Sequence, residues 1–327
     1  MGQKGRVNME QVKTQVTAII SNIEKVILGK TPEIKLVLAA FVAGGHVLLE
    51  DVPGTGKTML AKSLAKSFDL QFSRVQFTPD LLPSELTGIN FYSPKTGEFT
   101  FRKGSLFANI VLADEINRAT PRTQSGLLES MEERQISVDG TTYPLESPYF
   151  VIATQNPVET QGTFPLPEAQ LDRFLLQLSL GYPLKEETVN ILKQGLTASP
   201  LGMLKSVCKP SDFAEIQKGA TAVFIHDDVY GYMVDLAEAT RNHESVALGV
   251  STRGVMALAR ISKAYVAIEG REFVTPEDVR YLLPYVFAHR IMLKGGVRNR
   301  RLAAESVLEE AIAAVAAPTE VWKGTGR

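Results

Sequence analysis

The chain has 327 residues, enough at about 150 per domain for two domains and a sizeable buried core. Charged residues at 22% and hydrophobic residues at 44% exclude a disordered or fibrous protein. Thirty-five Lys and Arg balance 36 Asp and Glu to a formal charge of −1, so no global field draws the protein to nucleic acid or anionic lipid.

Residues 1–10 are polar with no apolar run behind them and are read as neither a secretion nor a lipidation signal. Val12, Val16, Ile19, Ile20 and Ile23 fall on one helical face, so residues 1–25 form a helical lead-in. A second helix then feeds the first strand. The longest apolar stretch, 36–49, is broken by Gly44, Gly45 and His46 and is too short to span a bilayer.

Apolar runs at 47–49, 72–75, 110–113, 149–153 and 175–180 alternate with helical patterns. Unbroken apolar strands separated by helices predict a five-stranded parallel sheet covered on both faces, an α/β core over 26–183. After Pro183 no convincing strand follows. Helices are expected at 185–196, after a cap at Asp227 or Asp228, from Thr275-Pro276-Glu277-Asp278, and over 302–316. The linker 184–205 includes the start of a mobile connection at 200–209, and 206–327 is a smaller all-α domain, fraying after Pro318.

Directly after the first strand comes Asp51-Val52-Pro53-Gly54-Thr55-Gly56-Lys57-Thr58, followed by a helix from Met59. Strand, glycine loop and helix in that order form a phosphate-binding loop: Gly54 and Gly56 let the backbone N–H groups curl round phosphates, Lys57 reaches the outer ones, and Thr58 can ligate Mg²⁺. Asp51 stands where such loops usually have their first glycine. The strand 110–113 ends in Asp114 and Glu115. Asp114 would hold Mg²⁺ through water, and Glu115 would polarise a water attacking the γ-phosphate of a nucleoside triphosphate. Asn156, past the next strand, can orient that water or serve simply as a turn residue. Arg173 before the last strand and Arg253 at a helix start are either solvated charges or cations for the transferring phosphoryl group, Arg253 reaching back to the nucleotide across the interdomain cleft.

Together these residues resemble the AAA+ ATPases, and the MoxR family within them. The blocks 74–88 (RVQFTPDLLPSELTG), 112–119 (LADEINRA), 127–132 (LLESME), 153–157 (ATQNP) and 166–174 (LPEAQLDRF) stand in that family's order. The resemblance spans about 26–291. It implies that Lys57 and Thr58 are Walker A residues, Asp114 and Glu115 Walker B, Asn156 sensor 1, Arg173 a trans-acting arginine finger and Arg253 sensor 2, with Val26, Ile27 and Gly29 lining the adenine. Arg118, Arg122 and Arg134 are the alternatives for the finger. The block 74–88 looks like the family's insertion after the second strand, and 135–138 with 142–145 would form a hairpin turned at Asp139-Gly140.

The family further implies a homo-oligomeric ring, usually hexameric, that uses ATP and Mg²⁺ to remodel client proteins in the cytoplasm, with a separate von Willebrand factor A domain partner. A nucleic-acid motor is weakened by the near-zero charge and the lack of a basic-aromatic cluster. A scaffold that rarely turns ATP over is weakened by Glu115, and a small-molecule kinase by the two arginines. The lone Cys208 permits no internal disulfide, and the four histidines show no zinc spacing.

Overall fold

The computed structural model describes residues 8–95, 97–156, 162–195, 200–295 and 300–319. Pro157 and the tail from 320, both weighed above, lie outside them.

Two helices, α1 (Met9–Glu24) and α2 (Thr31–Val42), precede β1 (Val47–Glu50). After the phosphate loop come α3 (Lys57–Ser67), β2 (Phe72–Gln76), the short α4 (Pro83–Thr87) and a hairpin of β3 (Gly88–Ser93) and β4 (Glu98–Lys103). Next are β5 (Ile110–Asp114), α5 (Pro121–Glu133), a second hairpin of β6 (Gln135–Val138) and β7 (Thr141–Pro144), then β8 (Phe150–Gln155), α6 (Glu168–Leu171) and β9 (Leu176–Leu178). The five parallel strands stand in the order β2-β5-β8-β1-β9.

Burial along the central strands is continuous and sorts by parity, as two-faced coverage requires. Val47 and Leu49, Ile110 and Leu112, and Phe150 and Ile152 join the core under α1, α2 and α3. Leu48, Val111, Ala113, Val151 and Ala153 face Leu127, Leu128 and Met131 of α5.

The helical remainder comprises α7 (Lys185–Gly195), α8 (Pro210–Ala222), α9 (Asp227–Asn242), α10 (Thr252–Ile268), α11 (Pro276–Phe287) and α12 (Arg300–Ala314). Its core is continuous with that under the sheet: Phe41 of α2 stacks on Phe213 of α8 at 4.4 Å between ring centres and also packs on Phe68 and Phe150. Val16, Ile19 and Ile23 of the lead-in helix belong to that same core.

Four expectations change. The segment 200–209 is tied down: Lys66 Nζ donates to Leu201 O at 2.7 Å, the Val207 and Cys208 N–H groups both donate to Ser67 O, and Asn22 Nδ2 donates to Lys205 O at 2.9 Å. Leu204 and Cys208 are buried there, anchors that the intervening lysine and serine obscure in the sequence, and burial holds the Cys208 thiol at about 12. The α9 cap is His226, whose side chain accepts from Asp228 N, while both aspartates sit in the first turn. Strands do occur after Pro183: β10 (Val246–Leu248) and β11 (Met292–Leu293) pair antiparallel, too short to leave an alternating pattern. The hairpin of β3 and β4 is not legible in the sequence, because its aromatics fall on both faces and Phe91, Tyr92 and Phe99 stay exposed.

Candidate nucleotide site

The phosphate loop leaves β1 at its carboxyl end and enters α3 at Lys57. Gly54 and Gly56 have φ of +88° and +93°, the left-handed region that glycine tolerates. A Cβ on Gly54 would meet nothing within 4 Å, so backbone conformation and not space demands glycine there. Ile27 packs on the loop, its Cδ1 lying 3.7 Å from where a Gly56 Cβ would be.

Asp51, the departure from the usual glycine, is 4% exposed and has a built role. Its carboxylate accepts from Leu180 N at 2.6 Å, Ser179 Oγ at 2.7 Å and Gly181 N at 3.1 Å, fastening the loop to the chain leaving β9. Lys57 Nζ donates to the carbonyls of Asp51 and Val52 at 3.0 and 3.2 Å, so the loop's own backbone cradles the ammonium.

A cavity of about 400 Å³ opens at the carboxyl ends of the strands. It is lined by Asp51, Pro53, Gly54, Thr55, Gly56, Lys57, Thr58, Met59, Asp114, Glu115 and Asn156, all anticipated from the sequence. Arg74 and Gln76 of β2 line it too and were not anticipated. Val52 contributes its carbonyl to Lys57. Val26, Ile27 and Gly29 do not reach the lining; Val26 and Ile27 are buried, and Gly29, at φ +69°, lies against the Glu187 carboxylate in space a Cβ would fill.

The two acids are held differently. Asp114 receives Arg74 Nη2 at 2.7 Å and the hydroxyl of buried Thr154 at 2.7 Å. Glu115 sits at φ +56°, a conformation costing a non-glycine residue about 1 kcal/mol, and its N–H donates to Thr154 Oγ1 at 2.8 Å. Thr154 thus bridges both acids. The Glu115 carboxylate accepts from Gln76 Nε2 at 2.8 Å and pairs with Arg118 Nη1 at 3.3 Å. Arg74 Nη2 also donates to Gln76 Oε1 at 3.1 Å, so β2 presents one polar row to both acids. The register that sets Gln76 beside Asp114 creates that row.

Thr58 and Asp114 present oxygen donors to one cavity, the ligand chemistry Mg²⁺ prefers. Among the described residues no group of three or more His, Cys, Asp or Glu forms a metal cluster, and no helix is long and apolar enough to cross a membrane.

Arg173 and Arg253 lie away from this cavity. The Leu175 N–H donates to the carbonyl of His46, the residue before β1, at 2.8 Å, which sets the segment carrying Arg173 at the amino ends of the strands. Both arginines converge there on Glu132, Arg173 Nε at 3.0 Å and Arg253 Nη2 at 3.0 Å, and Arg253 Nε lies 3.9 Å from Asp172. The expectation that Arg253 reaches back to its own chain's nucleotide is therefore corrected: α10 begins at the opposite end of the sheet. Of the other arginines weighed as the finger, Arg118 pairs with Glu115 and Arg134 donates to Gly44 O at 2.8 Å.

His46 is buried at this amino-end face and accepts from Val151 N at Nδ1 while Nε2 lies 3.0 Å from Met131 O. Burial pulls its pKa to about 4, so the ring is neutral and Nε2 is the donor.

Residues 46–176 match the ATPase family associated with various cellular activities (AAA), and residues 238–312 match the AAA lid domain. The uncharacterized protein YeaC of Bacillus subtilis is 48% identical, covering 92% of this chain and 94% of its own. Chaperone MoxR1 of Mycobacterium tuberculosis is 37% identical over 91% of this chain and 81% of its own, and protein MoxR of Paracoccus denitrificans is 32% identical over 90% and 93%. A crystal structure from Cytophaga hutchinsonii, provisionally described as an ATPase, superposes with a TM-score of 0.86 at 36% identity, covering 95% of this chain and 97% of that one. Phosphate loop, paired acids, lid and full-length relatives agree: the chain belongs to the MoxR family of AAA+ ATPases.

Proposed function

We propose that this protein hydrolyses ATP at the subunit boundaries of a homo-oligomeric ring, hexameric as the resemblance implies, and uses the energy to remodel or assemble client proteins in the cytoplasm. Residues 26–183 serve as the nucleotide core and 206–327 as the lid. One observation carries the reading: the hydrolytic side chains line a cavity at the carboxyl ends of the strands, while Arg173 and Arg253 stand together at the amino ends. Four-residue β1 separates those ends by roughly 13 Å of strand alone, so these arginines serve a neighbour's phosphates and not their own chain's.

In this reading Lys57 leaves the loop carbonyls for the outer phosphates, and Gly54 and Gly56 present their N–H groups. Glu115 exchanges Gln76 for the attacking water and takes its proton, with Asn156 orienting that water. Thr58 and Asp114 would hold Mg²⁺, which neutralises phosphate charge when bound. The name chaperone carried by the Mycobacterium tuberculosis relative supports the client role. The von Willebrand factor A domain partner rests on the family resemblance.

The test mixes two inactive variants. Lys57→Ala keeps its arginines but loses its pocket, and Arg173→Ala keeps its pocket but loses the finger. Each alone should hydrolyse ATP at least roughly 10³-fold more slowly than wild type, and mixing should restore turnover. Wild-type turnover by Arg173→Ala, or no recovery on mixing, overturns the trans assignment; no hydrolysis by wild-type protein, with or without a partner, overturns the motor.

A further inference from the structure

Arg173 sits in a short stretch, 172–175, that belongs to neither helix nor strand. The carbonyls of this stretch are held from the lid. Arg290, in the 3-10 turn that ends α11, is 3% exposed along its side chain and directs its guanidinium into the bend. Nε donates to Asp172 Oδ1 at 2.6 Å; Nη2 donates to Asp172 O at 3.2 Å and Phe174 O at 2.7 Å; Nη1 donates to Leu175 O at 3.4 Å and to Val286 O. A guanidinium has five N–H bonds, and here each direction meets an oxygen. The neighbouring His289 adds a fifth contact to the same stretch, Nε2 to Phe174 O at 3.1 Å.

The lid's own arginine joins this block. Gly254 follows Arg253, and a Cβ there would lie 3.0 Å from Arg290 Cδ and 2.5 Å from Val250 Cγ1, so α10 starts flush against the Arg290 side chain. Asp172 faces both Arg290 and Arg253, while Glu132 takes Arg253 and Arg173. Two carboxylates and three arginines thus link core to lid at the face away from the cavity.

We infer that Arg290 is a positioning residue that welds the lid to the bend carrying Arg173, so that Arg173 and Arg253 are presented to a neighbouring subunit as one preset pair. The inference rests on the reading that these two arginines act in trans. Its consequence is that lid movement shifts Arg173 bodily, coupling one subunit's lid to the next subunit's phosphates. Lysine cannot replace Arg290: it keeps the charge but offers three donors from a single point, without the planar fork that spans the carbonyls on both sides of Arg173.

The experiment separates donor from acceptor in full-length protein. Arg173→Ala subunits supply intact pockets and are mixed with finger donors whose own pockets are dead, either Lys57→Ala or Lys57→Ala/Arg290→Lys. The doubly changed donor should restore turnover at least tenfold less well, since a finger misplaced by about 1 Å costs roughly a hundredfold. In the converse mixture, Arg173→Ala/Arg290→Lys as acceptor with Lys57→Ala donors should keep turnover within twofold and fluorescent-ATP affinity unchanged, because its pocket lies at the other end of the sheet. Asp172→Asn, which leaves every main-chain acceptor in place, should reproduce the donor-side loss in milder form. Equal loss in donor and acceptor roles, as general unfolding would give, or no loss in either, overturns the inference while Lys57→Ala still rescues Arg173→Ala. Failure of that rescue itself overturns the trans reading and the inference with it.

Discussion

Asp51→Gly gives the phosphate loop the first residue such loops usually have, and the structure says it should weaken this protein. The Asp51 carboxylate ties the loop to the three residues following β9, through Leu180 N, Ser179 Oγ and Gly181 N. Hydrogen bonds to a charged group contribute about 1.5–3 kcal/mol each, and Leu180 N–H, in a residue 1% exposed, would be left without an acceptor. Ser179 and Gly181 are half-buried and regain water, which brings the net loss to about 3 kcal/mol. With an unfolding entropy of about 2.1 cal/mol/K per residue over 327 residues, that lowers Tm by about 4 °C. Ser179→Ala removes one bond and should cost about 1 kcal/mol. Thermal unfolding followed by circular dichroism, alongside fluorescent-ATP titration, reads both effects, and ATP affinity should fall in Asp51→Gly because Lys57 rests on the Asp51 and Val52 carbonyls. A Tm within 1 °C of wild type with unchanged affinity would refute the strap.

Glu115→Gln should bind ATP as tightly as wild type while turnover drops roughly 10²–10⁴-fold, read by phosphate release beside equilibrium titration; comparable turnover removes Glu115 as the base. Arg74→Ala frees Asp114 from a pair in which Arg74 is 47% exposed and Asp114 13%; such a pair is worth at most about 1 kcal/mol, so the Mg²⁺ needed for half-saturation of fluorescent-ATP binding should fall by up to roughly fivefold. An unchanged or raised requirement would show that Arg74 does not compete there. His46, held at about 4 by burial, stays neutral in the fold while an unfolded imidazole protonates near 6.5. Its contribution is intact above pH 6.5 and is lost as pH falls toward 4, a decline of about 3 kcal/mol that His46→Gln should flatten in urea melts at pH 7.5, 5.5 and 4.5. Parallel pH profiles for the two proteins would contradict the assignment.

What the sequence makes legible is whatever is contiguous. The phosphate loop announces itself because strand, glycines, lysine and helix follow within a dozen residues, and the apolar strands because burial on both faces leaves unbroken runs such as 110–113. Asp51 reads only as a departure because its three donors lie 128 to 130 residues away. Arg74 and Gln76 escape because their role comes from strand order: only when β2 lies parallel beside β5 does Gln76 come level with Asp114. Their alternation with Val75, which is buried in the sheet core, is the one signal that could have marked them as facing a pocket. Arg253 is legible as a cation but not as a residue of the amino-end face, because a helix-start arginine carries no information about where its helix docks. The segment 200–209 reads as mobile because Lys205 and Ser206 interrupt its two buried anchors, Leu204 and Cys208.

The same sheet geometry explains why a single protomer is chemically incomplete in the proposed mechanism. Parallel strands put every loop that follows a strand at one end and every segment that precedes one at the other, so Lys57, Asp114, Glu115 and Asn156 gather at the carboxyl ends while Arg173, just ahead of β9, must lie at the amino ends. Nothing short of unpairing β9 from β1 carries Arg173 round to its own cavity. In the free protomer its guanidinium therefore rests on Glu132, which it shares with Arg253, and a phosphate with more negative charge is the better acceptor for that pair. In the proposed ring, assembly would trade carboxylate partners for a triphosphate and make nucleotide occupancy and subunit association mutually reinforcing by linkage: ATP should tighten the ring, and the ring should tighten ATP, by the same factor. Sedimentation of Glu115→Gln and of Glu115→Gln/Arg173→Ala, each with and without ATP, tests the arginine: ATP should tighten association in the first and far less in the second, and equal tightening in both would remove the arginine pair as the coupling element.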